Sequence, residues 1–179
     1  MTARRTAEMQ ALLHRWRDAV PDDRLAHLAR DATRALVRAL QMRLAQHGVS
    51  FGHWSFLRIL WESEGLTQRE LSELAGVMEP TTFAALKAME RMGYVTRRQN
   101  PGDRRRIFID LTPLGRSLKE QLVPLAIEVN DIAVEGVSAA DIETTRRTLR
   151  TILSNLARDA IEGAQSGLRV PPTRRRTTP

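Results

Sequence analysis

The chain has 179 residues and 42% hydrophobic content, enough for one core with appended helices, and no apolar run approaches the ~18 residues of a membrane span. It contains no cysteine, which excludes disulfides, thiol nucleophiles and thiol-based redox sensing. Lys and Arg outnumber Asp and Glu by 28 to 21, a net +7, and only Lys87 and Lys119 are lysines; a guanidinium fork suits phosphates and guanine edges better than an ammonium does.

In chain order, Met9, Leu12, Leu13 and Trp16 predict a short helix that ends at Val20-Pro21. Leu25, Leu28, Ala32, Leu36, Leu40 and Leu44 recur at three- and four-residue steps, so about 22 residues form an amphipathic helix ending before Gly48. A second helix is expected over 50–64, with Trp54, Leu57, Ile59, Leu60 and Trp61 making it apolar on more than one side.

The stretch from Leu66 to Gly115 is the most informative. Thr67 and Glu70 form a T-x-x-E capping box that starts a short helix with Leu71, Leu74 and Ala75 on one face, and Gly76 closes it. Pro80 suits the first turn of the next helix, where Phe83, Leu86 and Met89 are expected to face the core, and Gly93 ends it. Tyr94-Val95-Thr96 begins a strand, Asn100-Pro101-Gly102-Asp103 is turn chemistry, and Ile107 to Leu111 returns. Between Arg91 and Arg106 lie six arginines against the single acid Asp103. Two short helices followed by an arginine-loaded hairpin read as a winged helix-turn-helix, whose second helix enters a DNA major groove while the wing touches backbone or minor groove.

After the wing, Thr112 caps a helix with Leu114, Leu118, Leu122, Leu125, Val129 and Ile132 on one stripe, and Pro124 should kink it. Ser138 caps the last helix, with Ile142, Leu149, Ile152, Leu153, Leu156 and Ile161 inward. From Gln165 the chain turns to Gly, Pro, Thr and Arg, the composition of a disordered basic tail. The fold class is therefore mainly α with a small β-wing: an extra helix at 1–21, a helical dimerisation region at 22–48 and 112–164, a winged helix-turn-helix at 49–111, and a tail at 165–179. These long helices leave more apolar surface than so thin a scaffold covers, and a second copy would cover it and set two recognition helices about 34–36 Å apart.

Side chains near the start of a recognition helix point to the groove floor, which makes Glu79, Thr81 and Thr82 the candidates for base contacts; the hydroxyls could alternatively cap backbone NH groups. Lys87 would meet phosphate, as would Gln68 and Arg69 where the preceding helix crosses the backbone, and Arg97 and Arg98 on the wing. No metal spacing joins His14, His27, His47 and His53, and no G-x-S-x-G, P-loop or Rossmann motif occurs, so neither a catalytic centre nor a cofactor is expected.

Together these residues resemble the multiple antibiotic resistance regulator (MarR) family over about 25–161. The most specific match is Asp103-Arg104-Arg105 followed by Leu111-Thr112-Pro113-Leu114-Gly115, against the family's D-x-R…L-T-x-x-G signature; Leu66 to Leu71 and Gly93-Tyr94-Val95 are also family-like. Ala84 and Ala85 depart from the common pattern, which carries a polar or basic residue there. The resemblance implies a dimeric cytoplasmic regulator of a double-stranded DNA operator, most often a repressor released by a small molecule. It implies that Asp103 orients Arg105 while Arg104, Arg105 and Arg106 reach DNA. It also implies an effector pocket between the first long helix, the second helix and the dimer helices, for aromatic acids or phenols. His53, Trp54 and Trp61, with Arg30 and Arg34, are the residues here that could line it, and the extra helix with Trp16 resembles that of the family's urate-responsive subgroup. That subgroup places an acid where this chain has Ser55, which favours an aromatic carboxylate over urate. The alternative is an effector-independent DNA-binding or architectural protein whose apolar helices are only dimer core.

Overall fold

The computed structural model describes residues 25–100 and 103–168, except the side chains of 100 and 103–106. The expected helix around Trp16, the hairpin tip Pro101-Gly102 and the basic tail beyond residue 168 lie outside the described residues. The chain divides into two compact units, Met1–Ala133 and Val134–Pro179.

In the first unit, α1 (Leu25–Leu44) runs into a single 3-10 turn, and Gly48, at φ 67°, reverses the chain as its sequence position required. Ser50 starts α2 (Phe51–Glu62) by accepting the His53 amide at 3.2 Å, and the helix stops two residues short of the expected Glu64. A two-residue strand β1 (Leu66–Thr67), unforeseen from the sequence, precedes α3 (Gln68–Ala75). The capping box is complete: Thr67 Oγ1 accepts the Glu70 amide, and the Glu70 carboxylate accepts the Thr67 amide at 2.7 Å.

Gly76 at φ 64° makes the turn into α4 (Glu79–Arg91), with Pro80 in its first turn. β2 (Val95–Asn100) and β3 (Asp103–Leu111) form the wing, and β3 also pairs with β1, giving an antiparallel sheet in the order β1-β3-β2. Leu66 faces Ile109, which ties the start of the helix-turn-helix to the wing. Gln99 faces Ile107 but Asn100 faces Asp103, so Arg104, Arg105 and Arg106 are extra residues of β3 at the tip.

Helix α5 (Pro113–Ala133) continues through Pro124 and packs against α1, where Arg43 meets Glu128 at 2.9 Å. The core joins Leu40 and Leu44 of α1, Trp54, Phe56, Leu57 and Leu60 of α2, Leu71, Leu86 and Met89 of the helix pair, Val95, Ile109 and Leu111 of the sheet, and Leu118, Leu122 and Val129 of α5. Along both long stripes Leu25, Leu28, Leu36, Leu114 and Ile132 are exposed.

The second unit holds α6 (Ala139–Gln165), capped by Ser138, which accepts the Asp141 amide. Its stripe was expected to face inward, yet it buries no residue, and Leu153 is 68% exposed.

Candidate nucleic-acid interface

Burial sets the rotation of α4. Thr82, Leu86 and Met89 are all 0% exposed and follow steps of four and three, which stay in phase with a 3.6-residue turn. Phe83 was expected beside Leu86 and Met89, but two three-residue steps drift by about 120°. It is instead 46% exposed, with the Arg97 guanidinium carbon 5.4 Å from its ring centroid.

That rotation also corrects Thr82. Its hydroxyl is not aimed at a groove but is buried against Ser72, 2.8 Å away, inside the angle between α3 and α4. It is neither a base contact nor a helix cap. The phase of Thr82 with Leu86 and Met89 was the signal that could have found this, and Ser72 carried none. Thr81 and Glu79 are exposed at the start of the helix, and Lys87 is exposed two turns on, as expected.

Gln68, Arg69, Glu79 and Arg97 line one cleft of about 640 Å³ between α3, the start of α4 and the wing. Their roles differ. Arg69 is exposed and pairs with Glu73 at 3.0 Å, a hydrogen bond that raises the guanidinium pKa. Arg97 is a structural bracket rather than a free phosphate ligand. Its Nε lies 3.2 Å from a Glu90 carboxylate oxygen, an ion pair without hydrogen-bond geometry, and its guanidinium lies over Phe83. Neither Nε nor the buried Nη2 has a hydrogen-bond acceptor among the described residues. Arg98 sits over Phe108 and donates to Asp110 at 2.9 Å but stays more than half exposed, so it can still meet a phosphate. Glu90 and Asp110, which fix these two arginines, went unnoticed in the sequence because cross-element pairs leave no periodic trace. Asp103, Arg104, Arg105 and Arg106 stand at the tip of β3, their side chains outside the described residues.

The Leu111-Thr112-Pro113-Leu114-Gly115 run is a clamp behind the wing. Thr112 Oγ1 donates to the Gly93 carbonyl and accepts the Gly115 amide at 2.9 Å, while the Gly115 carbonyl accepts Trp61 Nε1–H at 2.9 Å. A Cβ on Gly115 would stand 2.0 Å from the Tyr94 carbonyl oxygen, so only glycine lets α5 cross this close. Glu64 accepts the Leu111 amide and pairs with Arg116, whose hydrogen bond holds the carboxyl below its ordinary range.

The expected effector constellation does not assemble. Trp54 is 6% exposed in the core, its ring edge-on to Trp61 with centroids 5.5 Å apart, and Trp61 spends its NH on Gly115. Trp54 thus braces α2 from within the core, and Trp61 braces it against the start of α5. Arg30 pairs with Asp31 on the surface, Arg34 is exposed, and Trp16 lies outside the described residues. His53 is half-buried, its Nδ1 has no partner among the described residues, and burial lowers its pKa. The crevice present nearby, about 210 Å³, lies between α1, the start of α2 and α5, lined by Leu36, Val37, Leu40, Phe51, Ala126 and Val129 with Thr33 and Asn130. No group of three potential metal ligands occurs among the described residues.

Residues 49–107 match the model of the MarR family. The chain is 27% identical over 135 residues to the organic hydroperoxide resistance transcriptional regulator of Bacillus subtilis, covering 75% of this chain and 90% of that protein. Its backbone is similar to that of the Staphylococcus aureus MepR–DNA complex, with a TM-score of 0.69, 24% identity and coverage of 75% and 99%. It is also similar to Bordetella bronchiseptica BpsR, described as regulated in DNA binding by 6-hydroxynicotinic acid, with a TM-score of 0.67, 20% identity and coverage of 74% and 95%.

Proposed function

We propose that this chain, which belongs to the MarR family of transcriptional regulators, is a homodimeric repressor that binds a palindromic operator and is released by a small aromatic carboxylate or phenol. One observation carries the DNA-binding half. The face of α4 opposite its buried residues is exposed and uncovered among the described residues, and its first residue, Glu79, shares a cleft with Gln68 and Arg69 of α3 and Arg97 of the wing. A rod of that kind fits a major groove, and flanking cations displace counterions from phosphates. MepR, whose fold this chain shares, is described in complex with DNA.

The dimer is supported by the exposed apolar residues of three helices: Leu25 and Leu28 of α1, Ile127 and Ile132 of α5, and Leu153, Leu156 and Ile161 of α6. Apolar residues left in water on each of these helices would drive association. The effector is supported by the α1–α2–α5 crevice, whose apolar walls suit a ring and whose Thr33 and Asn130 suit an oxygen, and by the regulation of BpsR by an aromatic acid. Hydroperoxide sensing through a thiol is closed to a chain without cysteine. The burial of Trp54 and the hydrogen bond of Trp61 to Gly115 favour a second reading, an effector-independent DNA-binding protein.

Selection of bound duplexes from a random pool tests the function, followed by titration of benzoates, cinnamates and nicotinates with and without the selected operator. An effector that weakens DNA binding must itself bind more weakly, by the same factor, when operator is present. Failure to enrich any duplex refutes the DNA-binding reading, and aromatic acids that bind with no effect of DNA refute the effector.

A further inference from the structure

The outward ridge of α4 is apolar where the helix begins and cationic where it ends. Opposite Thr82, Leu86 and Met89 stand Pro80, Ala84, Lys87 and Arg91, all exposed. Ahead of them the turn leaves Val77 39% and Met78 64% exposed, Met78 being the residue that precedes the first turn of α4. Nothing within the described residues covers this surface. Between Val77 and Leu86 there is no Arg, Lys, Asn or Gln, the side chains whose paired donors and acceptors read guanine or adenine.

We propose that α4 reads its half-site through thymine methyl groups, contacted by Met78, Pro80 and Ala84, and not through the hydrogen-bonding edges of purines. The inference rests on the DNA-binding reading above and states what that interface selects. The C5 methyl of thymine is the one apolar group that unmodified base pairs present in the major groove. A recognition helix brings its N-terminal residues to the base edges, and here those residues are apolar apart from Thr81 and Glu79. The single carbon of the Ala84 side chain lets the helix axis come close to the groove floor. Lys87 and Arg91, further along the same ridge, then lie at phosphate height. The preferred duplex accordingly places thymines under the first turns of α4, and 5-methylcytosine, which carries the same methyl, substitutes for thymine as an apolar contact.

The test uses the full chain and a duplex selected from a random pool, with each thymine replaced in turn by uracil, which removes only the methyl. Binding is read by fluorescence anisotropy. One or two positions per half-site should lose about fourfold in affinity on replacement, the equivalent of ~0.8 kcal/mol for one buried methyl-sized group. Ala84→Gly should abolish the thymine–uracil difference at one of those positions, and Met78→Ser at another, while Lys87→Ala should weaken both duplexes alike. Circular dichroism confirms that each variant is folded. Thymine and uracil duplexes that bind alike, both ahead of random DNA, overturn the methyl reading and leave DNA binding standing. A difference that survives in both Ala84→Gly and Met78→Ser overturns its assignment to α4. No preference for any duplex would instead refute the reading on which it rests.

Discussion

The hydroxyls of Ser72 and Thr82 are hydrogen-bonded at 2.8 Å where α3 and α4 meet, with Thr82 wholly buried and Ser72 also 2.9 Å from the Gln68 carbonyl. A polar pair at the centre of an apolar angle fixes how the two helices cross, because any slip leaves a hydroxyl unpaired in the core. Thr82→Val and Ser72→Ala should each cost about 1 kcal/mol, and the double variant should cost less than their sum. Urea unfolding measures all three. Operator and random DNA should be bound equally less well by Thr82→Val. A selective loss for the operator at unchanged stability would return Thr82 to the base-contacting role that its position suggests.

Gly115 sits so close to Tyr94 that a methyl has nowhere to go, the obstacle being backbone. Gly115→Ala should therefore destabilise the fold by about 3 kcal/mol, at the upper end for overpacking. The melting temperature should fall by several degrees, and tryptophan fluorescence should change, since Trp61 donates to the same residue's carbonyl. An unchanged melting temperature would show that the α5 entry can shift as a unit.

Glu64, just beyond the end of α2, is tied to α5 through Arg116, and the hydrogen bond from Arg116 lowers its carboxyl pKa from the usual 4.5. A depressed carboxyl contributes stability above its unfolded pKa, and that contribution is lost as the pH falls through the folded value. Arg116→Met should thus be less stable than the parent at neutral pH, with the gap closing below about pH 4.5. Both groups reach solvent, so salt should narrow the gap as well. Thermal melts across pH and ionic strength check the sign, and a gap that widens in acid would rule the pair out as its source.

Arg105 lies among the residues by which β3 outruns β2 at the wing tip. Arg105→Ala should weaken operator and random DNA alike, and should reduce the slope of log affinity against log salt by about 0.9, one phosphate's worth. If Asp103 orients Arg105, Asp103→Ala should weaken binding despite removing a negative charge. A salt titration that superimposes on the parent would remove the wing from the interface.

Arg97→Ala should act differently from Arg105→Ala. It loosens the wing from α4 by removing the contacts with Glu90 and Phe83, so it should lower stability by about 1 kcal/mol while leaving the salt slope unchanged. A stable variant with a reduced slope would make Arg97 a phosphate ligand after all.

Local signals in the sequence were sufficient for the helices and the hairpin, though not for the short strand β1. The Thr67–Glu70 capping box, the glycines at 48 and 76, Ser50 and Ser138 as caps, and the arginine-rich hairpin each act within a few residues, so spacing alone reveals them. The family signature was legible too, though not its cause, because Gly115 is required by a carbonyl twenty-one residues earlier in the chain. What only the tertiary structure decided is which way each side chain faces. Thr82 and Phe83 are neighbours in sequence, and a 100° rotation about the helix axis made one of them core and the other a shelf for Arg97. The same packing turned Trp54 and Trp61 from candidate pocket walls into braces. Composition could not anticipate that, since an aromatic ring serves a core and a ligand equally well until its neighbours are in place.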